Sequence, residues 1–156
     1  MELYLLIKLV HVVSATILFG TGLGIAVFMW QAHRGGDVQV IFSVSRNVVL
    51  ADFSFTLPAV IIQLATGLIL AQMTGLNLTT SWILLALMLY FVAGACWLPV
   101  IWLQLRVRDI AHVAAERNEA LPARYYSHMR LWFLLGWPAF ISVLLIFYLM
   151  VYKPSW

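Results

Sequence analysis

Residues 3–30 read LYLLIKLVHVVSATILFGTGLGIAVFMW, an apolar run broken only by Lys8 and His11. A helix needs ~20 mostly apolar residues to cross ~30 Å of hydrocarbon, and this run exceeds that length. Three further runs qualify, over about 53–73, 82–105 and 131–152. With no water to satisfy backbone groups, helices are the natural spanning form at these lengths. The alternating ~10-residue segments of an outer-membrane barrel are absent. The sequence therefore predicts an all-α integral membrane protein, a four-helix up-down-up-down bundle in one domain over 1–156. The first run is too long for a secretory leader, begins with Glu2 rather than a basic stretch, and lacks an Ala-x-Ala site.

Composition agrees. The chain has 156 residues, of which 64% are hydrophobic and 10% charged, against ~25% charged in soluble domains. A mean hydropathy of +0.98 excludes a soluble or disordered chain. The single cysteine, Cys96, excludes an internal disulfide or a cysteine cage.

Charge gives the orientation. Arg34 and Arg46 lie in 31–52, and Arg106, Arg108, Arg117, Arg124 and Arg130 in 106–130, whereas 74–81 carries no charge. The positive-inside rule places both basic regions in the cytoplasm and both termini outside it. The net charge of +3 is a topology signal; acids interleaved with the bases and the lack of a motif exclude a nucleic-acid patch. The third helix is expected to run past the membrane, since no breaker occurs before Pro122. Residues 38–50 read either as an amphipathic interfacial helix or as an extension of the second span. Trp30, Trp82, Trp132, Tyr148, Tyr152 and Trp156 are placed as an interfacial aromatic belt.

Function in such a bundle is sought among polar residues that hydrocarbon should exclude. Counting at ~1.5 Å per residue puts His11 about 12 Å deep. His11, Gln63, Thr66, Tyr90 and Ser142 are expected to share that layer. A second layer at the cytoplasmic mouth holds Arg46, Asp52, Gln104, Arg106, His128 and Arg130, with Asp52 expected to meet Arg106 or Arg130. Three roles stay open for His11: polar glue between helices, axial ligand to haem, or proton and substrate handling. Gly20 and Gly24 form a Gly-x-x-x-Gly pair that suits close helix approach, including a homo-oligomer. No carboxylate pair, nucleophile elbow, P-loop or helical metal pair is present.

Lys8-x-x-His11 followed by Gly20 to Gly24, Thr56-Leu57-Pro58-Ala59 leading to Thr66-Gly67-Leu68, and Arg130 with Gly136-Trp137-Pro138 resemble an uncharacterised bacterial membrane family. It is the one numbered 2269 among domains of unknown function, and the resemblance covers nearly the whole chain. More distantly, the opening lysine and histidine and the Thr-Pro-small stretch are similar to HemJ-type protoporphyrinogen oxidases and CopD-like copper-resistance domains. The HemJ resemblance implies haem b on His11. Gln63, Thr66 and Tyr90, at a similar depth, would then line its pocket, with Arg130 of the basic layer as a candidate for the propionates. The expectation is a redox protein of the bacterial inner membrane, with quinone as an electron partner because it is soluble in the same bilayer. HemJ's lysine early in the third span and its Asn-Glu-x-Pro motif have no counterpart here, so porphyrinogen oxidation does not carry over. The CopD-like resemblance implies instead a non-enzymatic membrane subunit or a transport protein for a small molecule or metal.

Overall fold

The computed structural model describes residues 1–154. Helix α1 spans Glu2–Gly35, α2 Val38–Ala51, α3 Leu57–Met73, α4 Ser81–Arg117 and α5 Ala123–Tyr152. A π-helical turn, Asp52–Thr56, joins α2 to α3. The stretch 38–73 is thus one continuous apolar helix, and the chain has four helices long and apolar enough to cross a membrane. Of the two readings of 38–50, the extension of the second span is the one observed.

The basic region after the first span is helical rather than a loop. Two residues make the whole turn between α1 and α2. Gly36 takes the left-handed conformation (φ 72°) and its N–H donates to Ala32 O at 3.2 Å, a position that disfavours a Cβ. Asp37 then caps α2, its Oδ1 accepting from the N–H groups of Gln39 (2.8 Å) and Val40 (3.2 Å). At ~1.5 Å per residue α1 is about 50 Å long and outruns the ~30 Å hydrocarbon core. Helix α4 likewise continues to Arg117, as its uninterrupted sequence requires, and ends where Asn118 turns left-handed (φ 52°).

The helices pack in pairs. Helix α1 lies against α3, α4 lies against α5, and α2 wedges between α1 and α4 at the arginine-rich end. That end holds the main core, in which Ile25, Met29, Ile41, Leu103, Val107 and Tyr125 interlock. At the opposite end only a small cluster forms, Trp82, Ile83, Ala86 and Leu149 of α4 and α5. The bundle is therefore closed at one end and parted between its helix pairs toward the other.

Several expectations change here. Trp82 and Trp132 belong to these cores instead of the aromatic belt, whereas Trp30, Tyr148 and Tyr152 are exposed; Trp156 lies outside the described residues. Gly20 has no neighbour within 4 Å of where a Cβ would stand, and Gly24 meets only Phe28 of its own helix. Their small size therefore serves no contact inside this chain. The glycine that permits close approach is Gly67, where a Cβ would stand 3.2 Å from Cε1 of His11.

Candidate functional site

Two polar clusters lie within the bundle. The first pins α1 to α3. Thr66 Oγ1 donates to Ile62 O at 2.6 Å, the usual back-bond of a helical threonine. It therefore accepts from His11 Nδ1–H, 2.8 Å away. That assignment leaves His11 Nε2 as an acceptor, and the Gln63 amide Nε2 donates to it at 3.0 Å. Ser14 in turn donates to Gln63 Oε1 at 2.5 Å and lies 3.0 Å from His11 O. The network is closed, with both ring nitrogens of a neutral histidine engaged.

Of the layer read from the sequence, the structure joins His11, Gln63 and Thr66 and adds Ser14. Tyr90 stands nearby but donates to Val60 O (2.7 Å), linking α4 to α3. Ser142 is buried yet donates to Pro138 O of its own helix at 2.8 Å, apart from the histidine. Straight-helix counting brought Ser142 level with His11 but carries no information on which face it occupies.

The second cluster is centred on the π turn. Pro58 offers no N–H to Ser54 O four residues back, and its ring crowds that carbonyl. The wider turn absorbs the break, and Leu57 N–H donates to Asp52 O instead. Such turns recur at functional sites. This one buries Asp52 and Thr56 on one face and leaves Phe53, Ser54 and Phe55 outside. Trp97 Nε1 donates to Asp52 Oδ1 at 3.4 Å, and Thr56 and Gln104 flank the same carboxyl. Among the described residues no cation pairs with Asp52; the ion pairs are Arg108 with Asp109 and His112 with Glu116. The expected partners lie elsewhere. Arg106 stacks on Trp102, whose ring also meets His128, and Arg46 and Arg130 are exposed. Long basic side chains at helix ends reach outward to the polar interface, so the arginines part from the carboxylate.

A crevice of about 770 Å³ runs between the helix pairs, within the size range of ligand sites. Its apolar length is walled by residues such as Leu18, Val143 and Ile146. Phe19 of α1 stacks on Phe140 of α5 (centroids 5.4 Å) and leans on Phe147 (5.5 Å) across it. His33 lines the crevice at the arginine-rich end, with Nδ1 3.2 Å from the Tyr125 hydroxyl. Both lie beyond the apolar spans. Burial lowers the pKa of His33 and raises that of Tyr125.

Four buried side-chain polar atoms lack a hydrogen-bond partner among the described residues: Asp52 Oδ2, Thr56 Oγ1, Gln104 Oε1 and Trp132 Nε1. All four residues line this crevice, and Gln104 and Trp132 also line a cavity of about 10 Å³ beside Ser45. Such groups are costly when left unpaired. Gln63 and Tyr90 also line the crevice, whereas His11, Thr66 and Arg130 do not. No group of three or more His, Cys, Asp or Glu residues that could hold a metal occurs among the described residues. In the sequence Asp52 and Gln104 stand in the polar layer at the helix ends and Trp132 in the aromatic belt, and nothing local shows that they share a crevice with Thr56.

The fold and the crevice define a four-helix integral membrane protein. The family described as "Predicted integral membrane protein (DUF2269)" matches residues 5–154, and the chain belongs to that family. No curated protein and no solved structure matches it.

Proposed function

We propose that this protein binds a lipid-soluble small molecule with a polar head in the crevice between its helix pairs. The observation that carries the reading is that one mostly apolar cavity is lined by four residues, each with a buried side-chain polar atom lacking a hydrogen bond. The head would sit among Asp52, Thr56, Gln104 and Trp132, and the apolar body along Leu18, Phe19 and Phe140. A quinone fits this description as one such molecule, since its carbonyls can accept from Trp132 Nε1–H and Thr56 Oγ1–H.

The test is titration of the detergent-purified protein with a short-chain naphthoquinone, tetraphenylphosphonium and triphenylphosphine oxide. A Gly94→Trp variant serves as the block, because Gly94 lines the crevice with open space at its Cβ position. Binding of at least one compound, abolished by Gly94→Trp, supports the reading. No binding, or binding indifferent to the block, overturns it. Uptake of the bound compound into proteoliposomes would extend the reading to transport.

Haem b on His11 is a second reading, favoured by one observation. Gln63, which holds His11 Nε2, also lines the crevice. Ligation requires Gln63 to turn away and release that nitrogen, and Arg130, exposed and off the crevice wall, takes no part. A Soret band stoichiometric with protein and lost in His11→Ala supports it. A protein that stays colourless with haem supplied during expression removes it. For Gly20 and Gly24, free of contacts within the chain, the remaining role is a homo-oligomer interface in the bilayer. A Gly20→Leu/Gly24→Leu variant of unchanged oligomeric state would remove that role.

A further inference from the structure

Asp52 is the only carboxylate among the crevice-lining residues, and none of them is lysine or arginine. It is 3% exposed, and the polar side chains close to it, Trp97, Thr56 and Gln104, are all neutral. Trp97 donates to Oδ1 at 3.4 Å, and Oδ2 has no well-formed hydrogen bond. A carboxylate taken out of water without a cation is costly, and attraction to a cation in a low-dielectric interior is correspondingly strong.

Trp97 touches Asp52, and Trp30, Trp132, Trp137, Tyr90 and Phe133 line other parts of the same crevice. Aromatic faces attract cations, tryptophan most of all, and more strongly when the pair is desolvated. In this chain the exposed arginines already use such faces, Arg34 over Trp30 at 4.9 Å and Arg106 over Trp102 at 5.4 Å. Trp30 is thus already shared with Arg34, whereas Trp97, the indole that donates to Asp52, has no lysine or arginine beside it among the described residues.

We propose that the ligand of this crevice is a lipophilic cation, an amine or quaternary onium carried on an apolar body. Its charge pairs with Asp52 Oδ2 and its substituents pack on indoles of the crevice. This rests on the reading of the crevice as a binding site and names the class of molecule it selects. The apolar length beyond the carboxylate sets the preference for bulky hydrophobic cations over small hydrated ones, which gain nothing from leaving water.

Calorimetric titration of the intact protein in an uncharged detergent compares tetraphenylphosphonium with its neutral relative triphenylphosphine oxide. In the wild-type protein the cation is expected to bind at least about tenfold more tightly, the scale of a single desolvated charge contact. Asp52→Asn is expected to remove that preference, and Asp52→Glu to restore part of it. Equal affinity for the two compounds in the wild type overturns the inference and leaves the binding site standing, as does binding of the oxide or a quinone alone. Cation affinity unchanged in a folded Asp52→Asn variant also overturns it. Absence of binding by any of the compounds overturns the site and the inference together. The wild-type comparison stands even if Asp52→Asn does not fold.

Discussion

Cε1 of His11 lies 3.2 Å from the position a Cβ would take on Gly67, so the imidazole rests against the bare backbone of α3. That approach allows Nδ1 to reach Thr66 and Nε2 to reach Gln63 from the same ring. Gly67→Ala must push the ring away from both partners. We expect a loss of about 1–3 kcal/mol, the usual cost of overpacking, read as a fall in thermal unfolding temperature in detergent. Gly20→Ala, with open space at its Cβ position, is the control and is expected to cost nothing.

The histidine and glutamine should be energetically coupled. In His11→Leu the Gln63 amide loses its acceptor, and in Gln63→Leu the ring nitrogen loses its donor. A double-mutant cycle is expected to give a coupling of roughly 0.5–2 kcal/mol, the range for hydrogen bonds between membrane helices. Additive losses would mean that the closed network of Ser14, Gln63, His11 and Thr66 contributes no more than packing.

The π turn accommodates one residue more than an α-helical turn and so spares Pro58 its usual clash. Deleting Ser54, an exposed residue within the turn, lets it close to regular α-helix while α3 keeps its face toward His11. The Pro58 ring then meets the carbonyl four residues back. We expect a loss of about 3 kcal/mol, read as a lower thermal unfolding temperature in detergent. A deletion variant that unfolds at the wild-type temperature would show that the turn does not relieve the proline.

The tight α1–α2 turn depends on two residues for different reasons. Asp37→Ala removes the acceptor for the Gln39 and Val40 amides and is expected to cost about 1 kcal/mol. Gly36→Val places a β-branched side chain at φ 72° and is expected to cost at least as much, about 1–2 kcal/mol, through backbone strain. Thermal unfolding of the two variants and their combination checks both. Because the residues share one turn, their effects should fall short of additivity.

The four spans, the continuation of α4 to Arg117 and the shared level of His11, Gln63 and Thr66 were legible in the sequence. Each depends on something local or periodic. Apolar length sets a span, the absence of a breaker before Pro122 extends α4, and equal depth on facing helices aligns polar side chains. Asp52 was legible as a polar residue at a helix end, but its surroundings were not. It lies at the start of the π turn, a one-residue widening of the helix that the hydropathy of 38–73 does not register. Trp132 and Trp82 look like belt residues by position, and only the packing of α4 against α5 buries them.

What the sequence by itself determined is the setting: a membrane protein of four helices, each long enough to cross, with a cluster of bases at one end. Apolar length and charge placement suffice for that, because the bilayer acts on each helix separately. What the tertiary structure alone decided is which polar groups find partners. The arginines turn out to the interface, the histidine closes its network within one helix pair, and Asp52, Thr56, Gln104 and Trp132 line the crevice, each with a buried polar atom lacking a hydrogen bond. Rotation about each helix axis governs that outcome, and it is set by contacts between helices remote in sequence.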